Sequence, residues 1–251
     1  MRAHAVPMDV PVMLEEPLIR FRVGSRLVEM PLREARRVRL EDATPVRKFA
    51  RYRGQRNVVG DAWVSKLRCH VPYESGLELD MVRLLDFDRG VARFAVQPFV
   101  LVYPAADGRV RRHVPDMFVR NSDGSARVVN CKPLGKPLDD AAGVFADVGR
   151  VFAGVGWGHD VFSGSSPVLR ANVEWLWRFH RRLPGGFDGA VCLVVDGARH
   201  GVATFGELAG LVGNDPVGVT IVGHLLWSGK LVCPSIGSAV LRSSTALEVR
   251  W

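Results

Sequence analysis

The sequence predicts an α/β fold, and three observations carry that expectation. Apolar residues recur at helical spacing in Leu77, Met81, Leu84 and Leu85, the mark of a stripe buried against a sheet. Two β-like runs, Val114 to Arg120 and Ala126 to Lys132, flank Asn121-Ser122-Asp123-Gly124-Ser125, a loop rich in the residues that hairpins favour. A second helical pattern, Pro167 to Leu183, has proline in its first turn and Leu169, Val173, Leu176 and Trp177 on one stripe. Strands and helices mixed in this way imply an α/β core that ends near residues 165 to 185.

The elements follow in chain order. Residues 1 to 17 lack periodicity and are expected to form a loose leader. Ile19 to Met30 alternates apolar and polar around Gly24-Ser25, a hairpin pattern, and an arginine-rich stretch, Leu32 to Leu40, follows. Val91 to Val96 and Phe99 to Tyr103 read as consecutive strands with Gln97-Pro98 between them, where proline interrupts sheet hydrogen bonding. Asp139 to Val151 reads as a helix and Trp157 to Phe162 as a strand. Pro184-Gly185-Gly186 marks a joint. Beyond it, Thr204-x-x-Glu207 caps a short helix to Leu211, Val217 to Trp227 forms another, and Leu231 to Cys233 with Ala239 to Val249 supplies apolar return strands. Helix, turn, helix and β-ribbon resemble a winged helix, a form that sets its second helix in a DNA groove. That helix is apolar (Val219, Ile221, Val222, Leu225, Leu226), which suits protein docking as well as DNA reading. The expected division is a basic region at 1–70, a core at 71–183 and a winged-helix-like unit at 184–251.

Charge is unevenly placed. Residues 1–70 hold 15 Lys and Arg against 8 Asp and Glu, whereas 71–158 hold 11 of each. The stretch 43–68 carries Arg47, Lys48, Arg51, Arg53, Arg56, Lys66 and Arg68 with Tyr52 and Trp63 interleaved. Such a region attracts a phosphate backbone through counterion release, and aromatic side chains among arginines suit nucleic-acid contact; a solvated arginine-rich arm is the competing reading. The cysteines, Cys69, Cys131, Cys192 and Cys233, have no paired spacing, so they read as reduced and structural rather than zinc-binding. No apolar run approaches the roughly 20 residues of a membrane span, and no signal-peptide pattern opens the chain. A cytoplasmic, nucleoid-associated protein with no membrane partner is the expectation.

The chemistry-bearing residues lie between Tyr73 and Lys132. Folding the hairpin about Ser122-Asp123 sets Asp116 beside Val129 to Cys131, and strand alternation puts Asp116, Asn130 and Lys132 on one face. Glu74 and Glu78, four apart at a helix start, are placed to reach over the strand ends. A helix carboxylate and a strand carboxylate suit magnesium, which prefers oxygen ligands and keeps several waters. Such an ion activates water and draws charge off a phosphate, and Lys132 adds a cation where charge grows. Each residue has a plainer reading: Ser75-x-x-Glu78 spells a capping box, Asp116 after proline suits a turn, and Lys132 suits a strand edge. Gln97 either orients a site water or carboxylate or stabilises its turn.

These residues resemble the PD-(D/E)xK restriction-endonuclease superfamily, and within it the TnsA-like endonuclease subunits of heteromeric transposases. The resemblance rests on Pro72-Tyr73-Glu74-Ser75-Gly76-Leu77-Glu78, Leu84-Leu85-Asp86-Phe87-Asp88, Gln97-Pro98, Pro115-Asp116 and Asn130-Cys131-Lys132-Pro133, with Arg51 to Asn57 as a lead-in. It implies a restriction-endonuclease-like mixed sheet flanked by helices. It also implies Mg2+, with Mn2+ as substitute, held by Glu78, Asp116 and the Cys131 carbonyl, Asn130 completing or orienting that shell, and Lys132 assisting the transition state. Asn130 departs from the superfamily's usual acid. The implied activity is hydrolysis of one strand of double-stranded DNA at a transposon end, beside a DDE-type transposase subunit and an AAA+ ATPase, with a second copy of the chain as a further candidate partner. The alternatives are a weakly active or inactive DNA-binding scaffold on the same fold, and a stand-alone defence nuclease.

Overall fold

The computed structural model describes residues 13–47, 58–135, 139–213 and 216–250, with the backbone alone at 139–142. It is a mixed α/β structure with several sheets and, among the described residues, six α-helices. The chain divides into two compact units, one of residues up to Met81 with Gly90–Gly164, the other of Val82–Arg89 with Ser165–Trp251. No described helix is long and apolar enough to cross a membrane.

The first unit holds two four-stranded sheets and a separate hairpin. One sheet is antiparallel throughout, in the order β2 (Arg26–Pro31), β1 (Leu18–Val23), β6 (Phe99–Pro104), β7 (Val110–His113). The hairpin expected around Gly24-Ser25 forms, with Val23 opposite Arg26 and Gly24 at φ +58°, where a side chain would be strained. The arginine-rich stretch after it makes two short 3-10 turns. The separate hairpin pairs β3 (Gly60–Val64) with β4 (Cys69–Tyr73), and Trp63 meets His70 edge-on at 5.2 Å.

The other sheet is mixed, in the order β10 (Gly158–Phe162), β9 (Ala126–Cys131), β8 (Met117–Asn121), β5 (Val91–Val96). β5, β8 and β9 run antiparallel, and β10 returns parallel to β9 after the helix α2 (Asp139–Ala153). Val114 to Asp116 stand outside β8 and lead the chain into it, so the observed strand is shorter than the apolar pattern suggests. The turn closes on Asp123, whose Oδ1 accepts the Ser125 N–H at 2.9 Å, and on Gly124 at φ +86°.

The two sheets share a core. Ile19, Phe21, Phe99, Leu101 and Tyr103 alternate inward from the antiparallel sheet and meet Phe118, Ala126 and Val128 of the mixed sheet with Val148 and Phe152 of α2. Phe118 and Trp157 sit 5.0 Å apart edge-on, and Phe152 stacks on Trp157 at 5.8 Å. The opposite side of β6, Val100 and Val102, packs with Val46 and Val114. β6 is therefore buried on both faces, which is why Phe99-Val100-Leu101-Val102-Tyr103 is an unbroken apolar run rather than an alternating one.

The second unit is helical with a small ribbon. The helix α1 (Gly76–Phe87) starts in the first unit and ends in this one. It is followed here by α3 (Pro167–Leu176), α4 (Asp188–Arg199), α5 (Phe205–Gly210), α6 (Pro216–Ser228) and the antiparallel pair β11 (Leu231–Val232) and β12 (Glu248–Val249). Ser166 caps α3 by accepting the Leu169 N–H, and the expected longer helix tightens into a 3-10 turn at Trp177–Phe179. Thr204 and Glu207 form a reciprocal capping box at α5. In α6, Ile221, Val222, Leu225, Leu226 and Trp227 are all buried, so the apolar face noted in the sequence fills this unit's own core. Between Cys233 and Leu247 the apolar return expected as a strand is mostly turns. The buried Asn172 holds it, donating to the carbonyls of Ile236 and Ala239 at 2.8 Å and accepting the Leu241 N–H at 3.0 Å.

Candidate active site

The site assembles in the first unit where the start of α1, the chain before β8, and the ends of β7, β9 and β10 converge. Register does most of the positioning. Met117 lies opposite Val129, so one step back Asp116 falls opposite Asn130, and directly opposed residues in an antiparallel pair share a face. Asp116 is fixed by its own side chain: Oδ2 accepts the Cys131 N–H at 2.6 Å, extending the β8–β9 pairing by one residue. Lys132 continues beyond β9, its N–H donating to the Phe162 carbonyl at 2.9 Å.

Glu78 closes the start of α1. Its N–H donates to Ser75 Oγ at 3.2 Å, and its carboxylate accepts from Ser75 Oγ at 3.2 Å and from the Glu74 N–H at 3.0 Å, so the helix start is capped by the residues that spell a cap. Burial raises the Glu78 carboxyl above the ordinary carboxylate range, with the charges of Asp116 and Glu74 adding to the rise. Burial raises Asp116 too, against the Cys131 N–H and Arg47, which favour its ionised form, and with Glu74 adding to the rise. The Cys131 thiol is pushed up by burial and by the same two carboxylates, so it stays protonated. The Asp116 charge therefore bears on Glu78, and the Glu74 charge on both.

Gln97 joins this cluster from the β5–β6 corner. It is buried, with φ at +44°, a region a non-glycine residue seldom adopts. Its N–H donates to the Asp116 carbonyl at 2.8 Å, its carbonyl accepts the Val46 N–H at 2.9 Å, and its Nε2 donates to Glu74 Oε2 at 2.9 Å. Its Oε1 is buried with no partner.

Two histidines enter that the sequence reading did not single out. His113 Nε2 lies 2.9 Å from Asn130 Oδ1, and Asn130 Nδ2 lies 2.8 Å from His159 Nε2. With Oδ1 toward His113 and Nδ2 toward His159, His113 donates and His159 accepts. Burial pulls His113 down to about 4 and lowers His159 as well, so both rings are neutral at pH 7. In this chain the Asn130 amide accepts from one neutral imidazole and donates to the other, two roles that an amide fills at once. No local motif announces the chain, because β7 and β10 reach β9 only through long-range folding.

Arg47 is exposed beside this site. Lys48, Arg51, Arg53 and Arg56, expected to contact DNA, lie outside the described residues, as does Tyr52.

The donors present suit a hard cation: the Glu78 and Asp116 carboxylates with Glu74 beside them, and the orphaned Gln97 oxygen. Magnesium is commonly held by one or two carboxylates with water and phosphate completing its shell. Among the described residues no group of three or more His, Cys, Asp or Glu is arranged to hold a metal. Neither the protein-family models nor the curated proteins contain a match to this chain.

Proposed function

We propose that this protein is a magnesium-dependent DNA endonuclease of restriction-endonuclease-like fold, resembling the TnsA-like subunits that cut one strand at a transposon end beside a DDE-type transposase. The single observation behind this reading is that Asp116, at a strand entry, lies near enough to Glu78, at a helix start, for its charge to add to the rise of the Glu78 carboxyl. The mixed sheet, with α2 packed on β10, is consistent with that fold, and the helices and ribbon of the second unit with a winged-helix-like domain.

In this reading Glu78 and Asp116 hold the cation, with the Cys131 carbonyl as a further oxygen. When bound, magnesium supplies Lewis acidity to the phosphate and lowers the pKa of water. Glu74 is oriented by Gln97, and Asn130 is a rigid wall rather than a free ligand, since both its polar atoms are engaged. Lys132 brings a cation to the face that carries Asp116, where negative charge grows during hydrolysis. Nicking of a supercoiled plasmid in Mg2+ or Mn2+ tests the proposal, alone and with a transposase partner. Asp116→Ala and Lys132→Ala should each lower the rate at least a hundredfold with circular dichroism unchanged, and chelator should abolish it. Parental rates in both variants would refute it.

The engagement of Asn130 by two histidines also favours a second reading, a DNA-holding scaffold on the same framework. Such a protein binds DNA with steep salt dependence and leaves it intact whatever the metal.

A further inference from the structure

The arginine-rich stretch after β2 is firmly anchored. Leu32, Ala35 and Leu40 are buried in the core shared by the two sheets, and Glu34–Arg37 between them is a 3-10 turn. Side chains three apart eclipse in such a turn, so Arg33 and Arg36 share one side of it, and Glu34 and Arg37 another. With Met30 near the end of β2 they line a cavity of about 820 Å³. The arginines differ in how they are engaged. Arg33 is paired with Glu16. Arg36 and Arg37 are exposed and form no ion pair or side-chain hydrogen bond among the described residues. Arg36 reaches the turn after α2, its Nη2 3.9 Å from where a Gly156 side chain would begin. Two guanidiniums match the oxygens of two phosphate groups in bidentate geometry, better than ammonium groups do. Glu34 only accepts hydrogen bonds, so it disfavours a ligand that offers nothing but anionic oxygens. A ribose supplies hydroxyl hydrogens to such a carboxylate, as in dinucleotide sites. The Met30 thioether gives an adaptable apolar floor for a base. At about 30 Å³ per water, the volume equals that of roughly 27 waters, more than a lone anion needs and enough for a nucleotide with its hydration.

We propose that this cavity binds a free ribonucleoside diphosphate, with its phosphates on Arg36 and Arg37, its ribose hydroxyls on Glu34 and its base against Met30. A DNA strand has the phosphates but lacks the 2′-hydroxyl, so it matches Glu34 less well. The cavity belongs to the first unit and shares no residue with the carboxylate cluster, so it stands or falls apart from the endonuclease reading.

Calorimetry in EDTA tests this on the full chain, with inorganic phosphate, adenosine 5′-diphosphate, 2′-deoxyadenosine 5′-diphosphate and a short DNA duplex as separate titrants. Adenosine diphosphate should bind at least tenfold more tightly than phosphate and at least threefold more tightly than its deoxy counterpart. Replacing both Arg36 and Arg37 by alanine should weaken it at least tenfold, with circular dichroism unchanged because both side chains are exposed. Glu34→Ala should erase the preference for the ribose form without loss of phosphate affinity, and Arg109→Ala should change nothing. Adenosine diphosphate that fails to bind, binding untouched by the double alanine variant, or a ribose preference that survives Glu34→Ala overturns the proposal. Duplex binding that depends on Arg36 and Arg37 without any nucleotide binding overturns it as well, and gives the cavity to the DNA backbone instead.

Discussion

Asn130 shows how much one side chain can organise. It is nearly inaccessible, and its amide ends where two imidazoles begin. Asn130→Ala leaves two half-buried ring nitrogens without their partner, and at about 1–3 kcal/mol for each unsatisfied group the expected loss is about 2–6 kcal/mol, measurable by urea unfolding. His113 carries a pH signature. Unfolded, its pKa is near 6.5; folded, about 4. Between those values the unfolded chain binds more protons, so the stability owed to a neutral His113 is complete above about pH 6.5 and drains away as pH falls toward 4, by ~3 kcal/mol in all. Glu78 and Asp116, both raised, act in the opposite sense: their contribution is present at low pH and lost as pH rises through their folded values. His113→Gln isolates the first effect, and its stability should fall less than the wild type's between pH 7 and pH 5. Parallel curves would mean that His113 is not held neutral by the fold.

At the scale of elements, the start of α1 separates structure from chemistry. Ser75→Ala removes a cap and should cost about 1 kcal/mol while sparing metal binding. Glu78→Gln keeps an oxygen for the Glu74 N–H, so it should hold stability within about 1 kcal/mol yet lose the cation. In α6, a Cβ on Gly218 would stand 2.2 Å from the Ala209 carbonyl, so α5 and α6 pack through bare backbone. Gly218→Ala should destabilise by more than 1 kcal/mol despite alanine's better helix propensity, as thermal melting would record. The elements also show what a sequence exposes. The β8–β9 hairpin was legible, and with it the pairing of Asp116 and Asn130, because the turn residues and period-two pattern are local. Asp188–Arg199 was not read as a helix, since Val191-Cys192-Leu193-Val194-Val195 is a β-branched run that tertiary packing overrides. The histidine chain escaped for a different reason: its members lie 17 and 29 residues from Asn130, without a motif of their own.

For the whole molecule, the two units are interleaved in sequence. The second includes Val82–Arg89, and Phe87 packs on Trp227 at 5.3 Å within it. A fragment of residues 165–251 therefore lacks part of its own core and should unfold with low cooperativity, whereas the full chain gives sharp transitions; urea titration followed by tryptophan fluorescence compares them. The excess positive charge lies before residue 71, partly in residues whose structure is not described, so DNA affinity should depend strongly on that region and fall steeply with salt. Composition alone made this legible. It left open what Asn130 does, because its partners are two histidines 17 and 29 residues away.

The proposed chemistry rests on one divalent ion shared between a helix start and a strand entry. Manganese titration followed by electron paramagnetic resonance reads it without requiring turnover. Wild-type protein should show one site, and Glu78→Gln and Asp116→Asn, each still folded, should each weaken it at least tenfold. A wild type that binds no manganese, or two variants that bind it unchanged, would contradict the shared site.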